Sequence, residues 1–166
     1  MTGYLVLPFL AVMATTTTVN GQALSVTASS VNLAAPDTLA YDAGLTPAGA
    51  FSVLVTGCAA VLGCRVSIEN PHATSIVPVD VQWRLVHVSQ SGAGSLGCTP
   101  VTGLLTWQPV PASPVGLMDT AIVDAPGTAC AAAIEVRATG VSYSVHGFTW
   151  PPTTYWRELR FRIAEK

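Results

Sequence analysis

The sequence predicts an all-β protein: a single antiparallel β-sandwich of immunoglobulin-like architecture, preceded by a signal peptide. After residue 23 no segment repeats apolar residues at the spacing of an amphipathic helix, whereas several alternate apolar and polar residues with a period of two. Clusters of glycine and proline separate these short segments. About eight short strands, with no helices to connect parallel neighbours, favour two packed antiparallel sheets. A closed barrel is the alternative architecture.

Val79–Leu85 is the clearest predicted strand. Its apolar residues share one face, and the residues between them are polar. The apolar set is Val79, Val81, Trp83 and Leu85. The alternation breaks at His87, which lies between two valines. Either both faces of the strand become covered there, or a β-bulge shifts the register.

The last predicted strand is almost as regular, because Leu159, Phe161 and Ile163 alternate with charged residues. Six further segments are predicted strands: Leu24–Leu33, Phe51–Thr56, Cys64–Glu69, Leu104–Val110, Met118–Val123 and Ala133–Val145. A tryptophan lies between two cysteines, as in immunoglobulin domains, but Thr128 stands where those domains have a tyrosine. The likeness is therefore one of architecture alone.

Residues 1–23 are predicted to be a signal peptide. The apolar run Tyr4–Ala14 is shorter than the roughly 20 residues that span a bilayer as a helix. Gly21 and Ala23 place small residues where signal peptidase reads them, so we expect cleavage after Ala23. The mature domain, 24–166, is expected to be secreted or periplasmic, without membrane insertion. No Asn-x-Ser/Thr triplet occurs, which favours a bacterial origin.

Composition narrows the classes of partner. Only 10% of the residues are charged, against about 25% in an average protein. The chain has a single lysine, a formal net charge of −2 and no basic run. Nucleic-acid binding needs a basic patch, so this class is excluded. A chain of this length can bury one sizeable core without a metal or cofactor, and we expect neither.

The four cysteines are predicted to form two disulfides, because an even number in an exported chain favours cross-links over free thiols or a metal site. Four cysteines allow three pairings. We expect Phe51–Thr56 and Cys64–Glu69 to be the arms of one hairpin, which would bring Cys58 and Cys64 together at its neck. Cys98 and Cys130 would then pair with each other.

Three patterns that can indicate catalysis or cofactor binding are interpreted as structural. Gly92–Gly97 matches the glycine pattern of dinucleotide-binding loops, but no helical pattern follows it, so we predict a flexible hairpin loop. The histidines lie in no hydrolase motif. We place His72 and His146 in loops and His87 at a strand end. No cysteine or histidine spacing matches a structural metal site.

The densest aromatic segment is 148–156. Trp150, Tyr155 and Trp156 form a possible binding surface for a glycan or a protein, since aromatic rings stack on sugars and on apolar side chains. The same rings could instead cover the open end of the core, because each aromatic side chain buries a large area. We favour the second interpretation.

The predicted function is that of an exported, non-catalytic module with a structural or partner-binding role. The alternative is a self-assembling subunit of fimbrial or coat type, in which the alternating segment Leu24–Ala28 pairs with a sheet of another copy. A secreted hydrolase has the least support, because no motif brings a nucleophile and a base together. The sequence names no specific ligand or partner.

Overall fold

The computed structural model describes residues 10–17, 22–27, 30–33, 42–46, 48–71, 80–92, 97–140 and 155–166. Eleven strands lie in this part of the chain. They are β1 (Leu10–Thr17), β2 (Ala23–Val26), β3 (Ser30–Leu33), β4 (Gly49–Gly57), β5 (Cys64–Glu69), β6 (Asp80–Ser91), β7 (Thr99–Pro100), β8 (Gln108–Pro109), β9 (Val115–Thr120), β10 (Ala129–Thr139) and β11 (Tyr155–Glu165).

The strands form two sheets. The six-stranded sheet has the order β3-β1-β11-β5-β9-β7, and the five-stranded sheet has the order β2-β4-β10-β6-β8. Every pair of neighbouring strands is antiparallel except β1 and β11, which are parallel. The apolar faces of both sheets contribute to one buried cluster. This arrangement is compatible with the predicted β-sandwich.

The two strands with the clearest alternation are confirmed. In β6, Val81, Trp83 and Leu85 are buried while the residues between them are not. Val79 lies outside the described residues. The break near His87 is a bulge, since β10 pairs successive residues with His87 and Leu85 and so passes over Val86. In β11, Leu159, Phe161 and Ile163 are buried as predicted.

Trp83 lies at the centre of the core. Its side chain is fully buried, and its indole Nε1 has no hydrogen-bond partner among the described residues. Across the sandwich, Phe51 of β4 meets Phe161 of β11 edge to face, with 6.4 Å between the ring centroids. Such contacts between the inner faces hold the sheets together, because apolar area removed from water is the main favourable term in folding.

The predicted hairpin of β4 and β5 is wrong. β4 pairs with β2 and β10 in one sheet, whereas β5 pairs with β11 and β9 in the other. The segment between them therefore crosses from sheet to sheet. Gly63 makes the crossing possible, because its φ is +83° and a Cβ there would lie 2.0 Å from the Thr120 carbonyl oxygen.

Two other strand predictions and one loop prediction need correction. Leu24–Leu33 is two strands, β2 and β3, that lie in different sheets. Leu104–Val110 is largely irregular and contributes only the short β8. The Gly92–Gly97 loop joins β6 to β7, which also lie in different sheets, so it is not a hairpin loop. Alternation identifies extended segments, but pairing partners depend on the rest of the chain.

Both disulfides join the two sheets. Cys58, directly after β4, is bonded to Cys64, the first residue of β5. Cys98, directly before β7, is bonded to Cys130 of β10. These are the pairs expected from the sequence, although the expected hairpin neck does not exist. Each bond therefore links one layer of the sandwich to the other.

Replacing Trp83 with alanine should lower the free energy of unfolding by about 3 to 5 kcal/mol, since it removes a fully buried side chain and leaves a cavity. Trp83→Phe is the control. It keeps a ring in the core and sacrifices no hydrogen bond, so its cost should be clearly smaller. Urea denaturation measures both. A loss below about 1 kcal/mol for Trp83→Ala would contradict a central position for this residue.

Replacing Cys98 and Cys130 together with alanine should cost more stability than replacing Cys58 and Cys64. The Cys98–Cys130 bond has a sequence separation of 32 residues, whereas the Cys58–Cys64 bond has a separation of 6. In the chain-entropy model the expected losses are about 3 to 4 and about 2 kcal/mol. Chemical denaturation of the two double variants under oxidising conditions tests the order. The opposite order would show that native-state effects outweigh loop length.

Candidate functional site

The candidate site is the position of β1 in the six-stranded sheet. β1 lies between β3 and β11, and among the described strands it is the only sheet neighbour of β3. We call the space that β1 occupies the strand slot. Its edges are Ser30–Leu33 on one side and Tyr155–Arg162 on the other. Without β1 this sheet would be divided, and β11 would present an unpaired edge.

The longer edge of the strand slot is formed by β11. Eight consecutive residues of β1 pair in parallel with eight of β11, from Leu10 opposite Tyr155 to Thr17 opposite Arg162. On the other side β1 is antiparallel to β3, from Leu10 opposite Leu33 to Met13 opposite Ser30. The strand that fills the strand slot in this structure therefore runs in the same direction as β11.

The strand slot opens onto the core. Val12 is fully buried and belongs to the main apolar cluster, against which Ala14 packs while partly buried. Ala14 lies opposite Leu159, and the exposed Thr16 lies opposite Phe161. Small residues of β1 thus stand beside large residues of β11. A strand in this position needs an apolar side chain of valine size at the level of Val12. At the alternate positions that follow, its side chains must be smaller.

The outer face of the six-stranded sheet beside the strand slot carries charges of both signs. A guanidinium nitrogen of Arg160 on β11 lies 3.9 Å from a carboxylate oxygen of Glu69 on β5 and another lies 3.6 Å from one of Glu158. A guanidinium nitrogen of Arg162 lies 3.7 Å from the Glu69 carboxylate. These distances indicate loose, partly exposed ion pairs, which contribute little each. Among the described side chains, the outer face beside the strand slot therefore has no dominant charge that would select a strongly acidic or basic partner.

A tighter ion pair lies farther along the same sheet. Arg65 donates two hydrogen bonds to Asp119, from Nε to Oδ1 at 2.8 Å and from Nη2 to Oδ2 at 3.0 Å. Lys166 Nζ lies 2.9 Å from Asp119 Oδ2. The hydrogen bond from Arg65 is the main cause that lowers the pKa of Asp119, and Lys166 adds to the effect. The cluster ties β5, β9 and the last residue together.

Trp107 forms a second polar cluster, on the outer face of the five-stranded sheet. The guanidinium carbon of Arg84 lies 4.6 Å from the centroid of the Trp107 ring, and that of Arg137 lies 4.1 Å from it. Arg84 pairs with Glu135 at 2.6 Å, and Arg137 donates two hydrogen bonds to Gln82. Burial, and secondarily Arg84, lower the pKa of Arg137. Both cations thus hold the segment before β8 against the sheet.

A cleft of about 290 Å³ lies at one end of the sandwich. Asp80 and Glu158 are the titratable residues among those that line it. Within the described ranges, no group of three His, Cys, Asp or Glu side chains could hold a metal ion. In the same part of the chain, no helix is long and apolar enough to cross a membrane.

The structure describes only part of the predicted binding surface. Trp150 lies outside the described residues. Tyr155 and Trp156 are the first two residues of β11, where their backbones pair with β1, and their side chains are not described. His72 and His146 also lie outside the described residues. His87 is exposed within β6 at the bulge, not at the strand end that the sequence predicts.

Sequence reasoning missed the strand slot. The run Leu10–Thr17 was interpreted as part of a signal peptide, and its apolar composition carries no sign of which strand it would pair with. Trp107 was not singled out either. The signal that could have identified β1 is the order Leu10, Val12, Ala14 at alternate positions, which is typical of a strand with one buried face.

Comparison with models of protein families gives no match for this sequence, and comparison with curated proteins also gives none.

Asp119→Asn should destabilise the protein near neutral pH and have a shrinking effect in acid. The folded state lowers the pKa of Asp119 from its ordinary value of 3.8. Its stabilising contribution is therefore fully present above that value and is lost as the pH falls through the lower, folded-state pKa. Urea midpoints at pH 6 and pH 2.5 measure the change, with the exposed Asp124→Asn as control. An equal loss at both pH values would contradict the assignment.

Proposed function

We propose that the protein is an exported, non-catalytic β-sandwich that binds another polypeptide by accepting one of its strands into the strand slot. This is a structural or partner-binding role in a secreted or periplasmic bacterial protein, with immunoglobulin-like organisation of the sandwich. The observation that carries the proposal is the position of β1. It lies within the predicted signal peptide, residues 1–23, and it also completes the six-stranded sheet.

Cleavage after Ala23 would empty the strand slot. It would remove β1 and leave the eight paired residues of β11 without their neighbours on that side. It would also remove Val12 from the core. An open edge with a row of unpaired N–H and C=O groups is a template for pairing with another chain. Addition of a strand to such an edge is a recurrent mode of peptide recognition.

The proposed cleavage must precede folding. The bond between Ala23 and Leu24 lies inside β2, which is paired with β4. Gln22 and Leu24, on either side of Ala23, are buried. A peptidase needs an extended and accessible substrate, so the chain would be cut during export, before its sheets form. Two disulfides support an oxidising compartment as the place of folding.

Two other functions, hydrolysis and glycan binding, have less support. A hydrolase would need a nucleophile with an adjacent base, and among the described residues the lining of the end cleft supplies carboxylates but no histidine. Binding of a glycan through Trp150, Tyr155 and Trp156 stays a prediction from the sequence. Trp107, the described tryptophan on an outer face, already has two guanidinium groups at its ring.

The test uses the exported chain and a synthetic peptide. The intact mass of the exported protein should correspond to a start at Leu24. When that chain is unfolded and refolded with an excess of the peptide of residues 10–17, we expect one peptide per chain in native mass spectrometry. We also expect a higher midpoint of thermal unfolding, because binding to the folded state alone stabilises it by mass action.

The control peptide carries Val12→Arg, which would place an unpaired charge in the core and should abolish binding. The proposal is wrong if neither peptide binds during refolding. It is also wrong if the exported chain retains residues 10–17, since β1 would then be a permanent strand of the sandwich.

A further inference from the structure

We infer that the strand slot selects a partner strand by the order of the charges on its outward side chains. The preferred strand is basic at the position that Met13 occupies in β1 and acidic at the positions of Thr15 and Thr17. This inference rests on the proposed function, because it gives the chemistry of the strand that the slot accepts. The partner is thus a polypeptide segment that is apolar on one face and carries ordered charges on the other.

The register of β1 and β11 places three charged residues beside the strand slot. The pairs are Met13 with Glu158, Thr15 with Arg160 and Thr17 with Arg162. Val12 is buried, and side chains of a strand alternate between its faces, so an occupant's side chains at these three positions lie on the outer face of the sheet. Neighbouring strands are about 4.8 Å apart. Charges at these positions would therefore interact directly with those of β11.

The two arginines are only loosely compensated by the rest of the chain. Both approach the same carboxylate, that of Glu69 on β5, at 3.9 and 3.7 Å. Charge-assisted hydrogen bonds are shorter, at about 2.7 to 2.9 Å. The side chains of Arg160 and Arg162 are 34% and 50% exposed. On the side of the strand slot, the residues opposite them in β1 are threonines, which supply no countercharge.

Carboxylates at the two threonine positions would remain close to water. The described pairing of β3 with β1 extends from Leu10 to Met13, so it does not reach these positions. On the outer face each carboxylate would lie beside a partly exposed guanidinium group. Ion pairs that stay hydrated avoid the large desolvation penalty of buried ones. The added charges would therefore favour binding rather than oppose it.

Glu158 gives the first position the opposite preference. A second carboxylate at the position of Met13 would lie directly opposite it, and like charges in opposed positions destabilise a sheet. A lysine there would be attracted, and its aliphatic stem could lie along the sheet while the ammonium group reaches water. Because β11 carries both signs of charge beside the strand slot, it selects the order of charges and not a large net charge.

The experiment refolds the exported chain, 24–166, with two variants of the peptide of residues 10–17. The matched peptide carries Met13→Lys, Thr15→Glu and Thr17→Glu. The permuted peptide carries Met13→Glu, Thr15→Lys and Thr17→Glu. Both have the same composition, net charge and inward residues, so the order of charges is the one difference between them.

We expect the matched peptide to be bound about tenfold in preference to the permuted one, since two of three cross-strand pairs change from opposite to like charges. Native mass spectrometry of a refolding mixture, with one peptide isotopically labelled, gives the ratio directly. Raising the salt concentration from about 0.1 to about 1 M should bring the ratio towards one, because the Debye length falls from about 10 to about 3 Å.

A charge exchange in the protein should reverse the preference. Glu158→Arg combined with Arg160→Glu keeps the net charge and makes the permuted peptide the one with opposite charges at all three positions. Arg84→Glu combined with Glu135→Arg is the matched control, because it exchanges an ion pair on the other sheet. This control should still prefer the matched peptide.

The results separate this inference from the proposed function. Binding of the unmodified peptide with equal binding of both variants overturns the inference and leaves the proposed function standing. If none of the three peptides binds, both are wrong. A preference that persists in high salt, or that the exchange at Glu158 and Arg160 does not reverse, also overturns the inference. If that exchange variant fails to fold, the ratio for the wild-type chain and its salt dependence still decide.

Discussion

The pairing of β1 with β11 is the interaction on which the larger sheet depends. Eight consecutive residues of the chain's first described strand run parallel to its last, and β3 joins that sheet through β1 alone among the described strands. A backbone edge of this length cannot remain both unpaired and dry, since each N–H and C=O group removed from water needs a partner. Whatever occupies this position therefore determines whether the sandwich is complete.

The two layers are joined by apolar contacts and by covalent bonds. Phe51 and Phe161 meet across the interior near the buried Trp83, and each disulfide links one sheet to the other. With few charged residues in the chain, ion pairs play a secondary role and lie on the outer faces. A sandwich with these two disulfides tolerates the loss of a strand better than a sandwich without them, because the disulfides restrict the unfolded chain.

The sequence by itself determined the strand character of the chain and much of its core. The alternation in β6 and β11 correctly identified Trp83 and Phe161 as buried, because side chains of a strand alternate between its faces whatever the partner. The break at His87 indicated either two covered faces or a bulge, and the pairing with β10 shows the bulge. Only the tertiary structure decided which strands pair with each other. β4 and β5 lie in different sheets, and the two strands within Leu24–Leu33 also lie in different sheets. Leu10–Thr17 completes the six-stranded sheet. Pairing joins residues far apart in the chain, so no local pattern encodes it.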